Sequence, residues 1–161
     1  MLARRALTAH EVSSRLARRG FDPEVIDRTL VRLLESRLVD DQSLAYNHAR
    51  RRAEEGRVGP YRVEQELKAR GIGGTLAQEA VRAAFGPEDL ADALRRAVAK
   101  AAGGAAGHSA TDPAARIRLA RRLVRRGFPV GLVQRTLSEP LGQEDEQLEV
   151  LPIEDDDNAI P

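Results

Sequence analysis

Cysteine and tryptophan are absent from this 161-residue sequence, and aromatic residues are scarce, with two tyrosines and three phenylalanines. A chain without cysteine forms no disulfide and carries no thiolate nucleophile. Because aromatic residues make up only 3% of the chain, we expect neither a large aromatic core nor a platform on which nucleic-acid bases stack. The lack of cysteine fits a reducing compartment, and we expect a cytoplasmic protein.

Long apolar runs and grouped catalytic side chains are missing as well. No apolar run approaches the roughly 20 residues of a membrane span, and the N-terminus lacks the apolar region of a signal peptide. His10, His48 and His108 are scattered along the chain, and none has a partner at metal-ligand spacing. No acid, base and nucleophile can be grouped. We therefore predict a protein that is not an enzyme, with no cofactor, no metal and no membrane partner.

Charge is distributed unevenly along the chain, although the formal net charge is only +1. Residues 1–138 hold all 26 Lys and Arg and only 16 of the 25 Asp and Glu, a net charge of +10. Residues 139–161 hold 9 acidic residues and no basic one. A basic body followed by an acidic tail indicates an anionic partner, with nucleic acid as the first candidate.

A short segment that ends in a glycine occurs three times, as Leu16–Phe21, Leu67–Ile72 and Leu123–Phe128. A glycine just after a helix takes the left-handed conformation without steric cost, and the residue after it contacts the leucine of the last turn in a Schellman motif. Each copy therefore predicts a helix, a sharp turn and a second helix. Recurrence after 51 and 56 residues is typical of stacked supersecondary units.

Helical periodicity, without any long period-two alternation, predicts an all-α fold. We expect tandem three-helix repeats, each resembling a helix-turn-helix, stacked into an elongated molecule. The predicted units are residues 1–58 and 59–102, with three helices each, and residues 112–139, with two clear helices. A flexible linker is predicted at residues 103–111 and a disordered acidic tail at residues 140–161.

Several residue pairs carry helix-start signals. They are two capping boxes, two Asp-Pro starts and one Asp-Asp start: Thr8 with Glu11, Thr75 with Gln78, Asp22-Pro23, Asp112-Pro113 and Asp40-Asp41. The aspartate pair could also be imagined as a metal or acid–base site, but a helix start explains it without such a role. The apolar stripe predicted for the second helix is Ile26, Leu30, Leu33 and Leu34.

Arginine clusters are the most informative feature for function. The helix after Pro113 has a basic face opposite an apolar one, which consists of Ile117, Ala120, Leu123 and Val124. A solvated helix face is the plain interpretation, but arginines in such clusters also bind phosphates or an acidic protein groove. The predicted partner- or nucleic-acid-binding residues are Arg15, Arg18, Arg19, Arg50, Arg51, Arg52, Arg57, Arg62, Arg118, Arg121, Arg122, Arg125 and Arg126.

A DNA-reading helix-turn-helix is the alternative interpretation of each unit. Base readout needs Asn, Gln or Arg near the start of the second helix. The candidate second helices begin with Pro23-Glu24-Val25, Leu76-Ala77-Gln78 and Val130-Gly131-Leu132. Packing of repeated units therefore explains the turns better than base readout.

Taken together, these motifs resemble a known family. They are the Arg-Gly-Phe turn after the first helix, Leu38 to Asp41 with Ala45, Arg50 to Arg52, Gly59-Pro60, Arg62, and Glu66 to Ile72. Over about residues 2–138 the pattern resembles the RecX family, bacterial regulators of the RecA recombinase. The Asp-Asp segment followed by the Gly-Pro and Arg-Gly-Ile segments is its most specific part.

The resemblance implies a curved, all-helical protein of three tandem three-helix repeats. It implies binding in the groove of the RecA–DNA filament, with contacts to neighbouring RecA subunits and to single- or double-stranded DNA. Inhibition of filament growth, ATPase, strand exchange and coprotease activity would follow, within DNA recombination, DNA repair and the SOS response. We expect a non-catalytic modulator of the RecA filament. The alternative is a helix-turn-helix DNA-binding regulator that acts on free DNA without RecA.

The acidic tail carries a separate hypothesis. Its carboxylates, among them Glu144 to Glu146 and Asp155 to Asp157, are expected to fold back on the basic face and compete with the partner. A tail that only increases solubility is the alternative.

Overall fold

The computed structural model describes residues 6–102 and 113–138, which form eight α-helices and no strand. The helices are α1 Ala9–Arg18, α2 Pro23–Glu35, α3 Asp41–Glu55, α4 Pro60–Ala69, α5 Gly74–Ala84, α6 Pro87–Ala102, α7 Pro113–Arg125 and α8 Val130–Ser138. The predicted all-α fold is confirmed. The predicted linker with His108, the predicted N-cap Asp112 and the acidic tail lie outside the described residues.

The three repeated glycines end their helices as predicted. Gly20, Gly71 and Gly127 have φ angles of +82°, +82° and +91°. In the first copy the amide nitrogen of Gly20 donates to the carbonyl of Ala17 at 3.0 Å, and that of Phe21 donates to Leu16 at 3.3 Å. The same pair of bonds recurs after α4 and after α7. All three turns are therefore Schellman motifs.

Most helix starts also follow the sequence. The Thr8 hydroxyl accepts from the amide of Glu11 at 3.0 Å, and the Glu11 carboxylate accepts from the amide of Thr8 at 3.1 Å, which confirms that capping box. Asp40 caps α3 by accepting from the amide of Ser43 at 2.8 Å. The predicted capping box at Thr75 is wrong, because α5 begins two residues earlier, with Gly73 as its N-cap and no side-chain cap.

One apolar core runs through α3 to α8. Its largest fully buried side chains are Phe128, Leu67, Leu94, Leu123, Val63 and Val133. The buried residues of helix α3 are all alanines, of which Ala45 and Ala49 are fully buried, and Leu44 packs against the core while partly buried. Because alanine has no side chain beyond its Cβ, the axis of α3 can lie close to α5, its most extensive partner.

Two predicted inward-facing residues lie outside this core. Leu34 of α2 is 46% exposed and Ile117 of α7 is 53% exposed, so their predicted burial is wrong. Helices α1 and α2 pack mainly on each other, and only Ile26 of this hairpin is buried. A single neighbouring helix cannot cover a stripe as wide as the predicted one, and Ile117 lies at the edge of the packed face of α7.

The contacts between helices bear on how the units divide. Helix α3 packs most extensively on α5 and also contacts α4 and α6, and α6 contacts α7 and α8 as well. A boundary at residue 58 would separate α3 from the hairpin that it packs against most. The unit boundaries stay a prediction. The contacts group α3 with α4 and α5, after an N-terminal hairpin of α1 and α2, and α6 connects this trio to α7 and α8.

Successive hairpins meet end to end. The amide of Gly59, at the start of α4, donates to the carbonyl of Arg126 at 2.8 Å, at the end of α7. The Thr8 hydroxyl, at the start of α1, donates to the carbonyl of Arg70 at 2.7 Å, at the end of α4. The first helix of each hairpin therefore begins against the Schellman turn of the following hairpin. This contact occurs twice, between α4 and the turn after α7 and between α1 and the turn after α4.

Candidate partner-binding surface

The predicted arginines of α1 and α7 occupy the same positions of the repeat. Arg15, Arg18 and Arg19 lie five, two and one residues before Gly20, and Arg122, Arg125 and Arg126 lie five, two and one residues before Gly127. We name these sets the α1 triplet and the α7 triplet. The sequence pattern revealed both clusters, and alignment of the copies on their glycines shows the arginine just before each glycine, but the equivalence of the other two arginines of each triplet was not predicted.

Both triplets present guanidinium groups that form no ion pair within the described residues, and Arg18 only donates to the Ser14 carbonyl of its own helix at 3.2 Å. Five of the six arginines are exposed, and Arg126 is half-buried. Arg118 and Arg121 of the same basic face are exposed too. Within residues 6–102 and 113–138, no carboxylate forms an ion pair with either triplet or with Arg121. A strongly positive, hydrated face of this kind can bind phosphates or carboxylates of another molecule.

Two arginines of α3 are held only by weak pairs along their own helix. Arg50 lies 3.9 Å from Glu54, and Arg51 lies 3.9 Å from Glu55. Their side chains are 71% and 66% exposed. An exposed pair at this helical spacing contributes about 0.3–0.5 kcal/mol, so a phosphate or a carboxylate of a partner could replace either glutamate.

Arg52 differs from its two neighbours because it joins α3 to α4. Its guanidinium donates to the Glu66 carboxylate at 2.6 and 2.9 Å and to Glu55 at 2.9 Å. His48 lies 3.0 Å from the same Glu66 carboxylate. With its side chain 24% exposed and three of its N–H groups bonded to carboxylates, Arg52 has a structural function, and its predicted binding function stays a prediction.

This network stabilises the charged form of the Glu66 carboxylate. Burial would raise the pKa of Glu66, but hydrogen bonds from Arg52 and His48 outweigh burial and leave that pKa below its ordinary value. The bonds to Glu66 in turn raise the pKa of Arg52. The cluster is therefore a charge-assisted link between α3 and α4 and has the features of a structural site.

Arg57 and Arg62 lie where α4 meets α7. Both are exposed and flank Gly59, whose amide is bonded to the Arg126 carbonyl. A Cβ on Gly127 would lie 2.4 Å from the backbone nitrogen of Arg62, so the two segments touch. The structure thus brings Arg57 and Arg62 next to the α7 triplet, although they are 60 or more residues distant in sequence.

The arginine that precedes the glycine in the middle copy has a different use. Arg70 donates to both oxygens of the Glu11 carboxylate, at 2.9 and 3.0 Å, and to the carbonyl of Ala6 at 2.7 Å. It therefore ties the α1–α2 hairpin to α4. At this position of the repeat, the arginines of α1 and α7 are predicted to bind the partner. The arginine of α4 instead holds two parts of the chain together.

A groove with a volume of about 430 Å³ lies between α7 and α8. Its floor is apolar and consists of Ala120, Val124, Val130 and Val133. Arg121, Arg125 and Gln134 complete the lining. The basic face of α7 thus borders an apolar depression, which suits an acidic segment with apolar side chains better than a bare phosphate chain.

Two kinds of site are absent from the part of the chain that the structure describes. Across residues 6–102 and 113–138, no group of three or more His, Asp or Glu side chains could hold a metal ion. None of the described helices is long and apolar enough to cross a membrane.

Comparison with known proteins matches two parts of the chain to family models. The model described as the first three-helix domain of RecX matches residues 1–33, and the second three-helix domain of RecX matches residues 40–81. The second match begins at the N-cap of α3 and ends within α5, so it coincides with the trio of helices that pack together.

Whole-chain relatives extend this similarity. Regulatory protein RecX of Halorhodospira halophila is 37% identical over 83% of this chain and 80% of its own length. Regulatory protein RecX of Pseudomonas putida is 33% identical over 86% and 85%, and that of Corynebacterium efficiens is 30% identical over 92% and 71%.

A solved structure described as a crystal structure of regulatory protein RecX has the same fold. Its TM-score is 0.73 at 20% identity, over 84% of this chain and 66% of that chain. At this identity the structural likeness concerns the fold alone. The sequence relatives, which align along most of the chain at 30–37% identity, go further, and they establish that this chain belongs to the RecX family.

Proposed function

We propose that this protein is a non-catalytic regulator that binds the RecA–DNA filament and inhibits the recombinase, ATPase and coprotease activities of RecA. The observation that carries the proposal is the equivalence of the α1 and α7 triplets, two exposed arginine sets without carboxylate partners among the described residues. The names of the relatives, which are regulatory proteins, support a regulator.

The repeated arrangement suits a repeated partner. A nucleoprotein filament presents the same anionic groups at regular intervals, so two basic patches on one chain can bind two subunits or two phosphate stretches at once. The second contact is then intramolecular and adds affinity without any new type of interaction. A chain that links neighbouring subunits in this way hinders the rearrangements that filament growth and ATP turnover require.

Steady-state RecA ATPase on single-stranded DNA is the first test, with the protein titrated well below one copy per RecA at two salt concentrations. We expect inhibition that weakens as salt rises, because arginine contacts with phosphates and carboxylates are screened. Binding to free single- and double-stranded DNA is measured in parallel. Tight, sequence-dependent binding to free duplex without ATPase inhibition would favour the helix-turn-helix alternative.

Paired charge reversals test the surface itself. Arg121→Glu with Arg125→Glu is expected to weaken inhibition, and Arg82→Glu with Arg95→Glu is the control. Both pairs change the net charge equally and lie on exposed helix positions, but Arg82 and Arg95 belong to α5 and α6, outside the predicted surface. An equal loss of inhibition in the two double variants would contradict a specific role of α7.

A further inference from the structure

The α7–α8 groove has no counterpart in the preceding hairpin. Alignment on Gly71 and Gly127 places Ala120 and Val124 at the positions of Glu64 and Lys68. In the α4–α5 hairpin, Lys68 pairs with Glu64 at 2.5 Å, and Gln78 of α5 donates to Glu64 at 3.4 Å. That hairpin thus covers the equivalent surface with polar groups that satisfy one another, whereas the surface on α7–α8 is apolar.

Of the apolar residues of the groove, Val133 is buried in the core, but Ala120, Val124 and Val130 are incompletely covered in the described part of the chain. Val130 is 52% exposed, and Val124 is only half-buried. Arg121 and Arg125, which also line the groove, form no ion pair with a described carboxylate. An occupant that fits must bring apolar side chains for the floor and carboxylates for the two guanidinium groups.

The chain itself contains such a segment. Residues 148–153 read Leu-Glu-Val-Leu-Pro-Ile, with acidic runs before them at Glu144 to Glu146 and after them at Glu154 to Asp157. Four of these six residues are large and apolar, and residues 139–161 contain no basic side chain. This composition complements the groove in both polarity and charge.

The segment is also within reach of the groove. Ser138 ends α8, and residue 148 follows ten residues later, so the connection spans up to about 33 Å when extended. The way back along α8 from Ser138 to Val130 is only about 12 Å at the helical rise per residue. The connection is therefore long enough for residues 148–153 to reach the groove. Because it is also short, it keeps the local concentration of this segment near the groove high.

We propose that residues 148–153 bind in the α7–α8 groove of the same chain, with apolar side chains on Ala120, Val124 and Val130 and carboxylates on Arg121 and Arg125. A bound tail covers two of the arginines that the proposed function assigns to the filament. The docking is independent of that function, whereas its consequence, reduced affinity for the filament, rests on it.

Cross-linking in the full-length chain tests the docking directly. The chain has no cysteine, so Gln134→Cys with Gln147→Cys creates a single pair, one member on α8 beside the groove and the other next to residue 148. The reference is the same pair with Leu148→Asp and Leu151→Asp added, which keeps the tether length. We expect the disulfide to form at least about five times faster in the pair without the aspartates than in the reference. This ratio of rates corresponds to a docking free energy of about 1 kcal/mol.

A second pair controls for nonspecific attraction of the tail. Gln78→Cys with Gln147→Cys places the first cysteine at the equivalent position of the α4–α5 hairpin, and its rate is expected to be insensitive to the aspartates. Equal rates for the Gln134 pair with and without Leu148→Asp and Leu151→Asp overturn the proposal. Circular dichroism confirms that the helices are unchanged, since the aspartates lie outside the helices of the structure.

The RecA assay then separates the docking from its consequence. If the Gln134 pair reports docking, Leu148→Asp with Leu151→Asp is expected to inhibit RecA ATPase at lower protein concentration, although it adds negative charge. Docking with unchanged inhibition would retain the groove as the binding site of the tail and would contradict the assignment of Arg121 and Arg125 to the filament. The cross-link alone therefore tests whether the tail binds in the groove.

Discussion

Gly59 and Arg126 are joined by a hydrogen bond of 2.8 Å from the amide nitrogen of the first to the carbonyl oxygen of the second. A Cβ on Gly59 would lie 2.4 Å from the carbonyl carbon of Gly127, so the two backbones touch. Thr8 and Arg70 form the corresponding contact one unit earlier, through the Thr8 hydroxyl. The start of one hairpin thus contacts the turn of the following hairpin at two places in this fold. Three of our predictions concern residues at or near these contacts.

Alanine substitutions at the three repeated glycines separate turn strain from contact between units. All three glycines have positive φ, so alanine costs each turn about 1–2 kcal/mol. Around Gly20 nothing lies within 4 Å of an added Cβ, whereas at Gly127 that atom would lie 2.4 Å from the backbone nitrogen of Arg62. We expect Gly127→Ala to lower the free energy of unfolding by at least about 2 kcal/mol more than Gly20→Ala, as overpacking does.

Urea denaturation followed by circular dichroism measures both variants. Gly71→Ala should group with Gly127→Ala, because a Cβ there would lie 2.3 Å from the Cβ of His10. Equal destabilisation by all three substitutions would mean that only the turn conformation matters and that the units do not press on these glycines.

Arg70 is expected to hold the α1–α2 hairpin against α4. Arg70→Ala removes the bonds to Glu11 and Ala6, and charged hydrogen bonds of this kind contribute about 1.5–3 kcal/mol. Hydrogen exchange of amides in α1 and α2 should accelerate about tenfold or more, while α4 and α5 retain their protection. Arg19→Ala, at the same repeat position of α1, is the control and should leave exchange unchanged.

Stability at acid pH depends on Glu66. Its folded pKa lies below the unperturbed value of 4.5, so the unfolded chain binds more protons as the pH falls. The stabilisation is therefore present above about pH 4.5 and is lost as the pH falls through the folded pKa. Glu66→Gln should lower the free energy of unfolding by about 1–2 kcal/mol at pH 7 and should flatten its decrease below pH 4.5.

Urea unfolding at a series of pH values between 7 and 3 checks this prediction. Glu54→Gln is the matched control, because Glu54 is 69% exposed and lies 3.9 Å from Arg50, and it should change stability by less than about 0.5 kcal/mol. A parallel pH profile for Glu66→Gln and the native chain would show that the link between α3 and α4 does not depend on this carboxylate.

Equivalent arginines should contribute equally to filament binding. Arg18→Glu and Arg125→Glu alter the same repeat position of α1 and α7, and each is expected to weaken binding about 3- to 10-fold at low salt, with a salt slope lower by about one. Ala69→Glu introduces a carboxylate at the same position of α4 and should have a smaller effect. Fluorescence anisotropy of labelled filaments measures all three.

A loss of filament affinity in only one of the two arginine variants would show that the filament contacts a single end of the chain. That result would retain RecA as the partner and would contradict binding through two equivalent patches.

Local sequence sufficed to predict the helices and most of their ends. The three glycine turns, the capping box at Thr8 and the cap at Asp40 depend on residues within six positions of one another, and all are confirmed by hydrogen bonds in the structure. The all-α class follows from the same short-range patterns. The capping box at Thr75 failed because two glycines before it allowed α5 to begin earlier.

Tertiary structure alone decided which arginines are committed to the fold. Arg51 and Arg52 are neighbours in sequence, yet Arg51 is exposed and Arg52 is bonded to Glu66 of another helix. Arg19 and Arg70 end equivalent helices, yet only Arg70 meets a glutamate, Glu11, which is 59 residues away. A charged side chain becomes structural when a distant chain segment brings an opposite charge to it, and no local pattern records that distance.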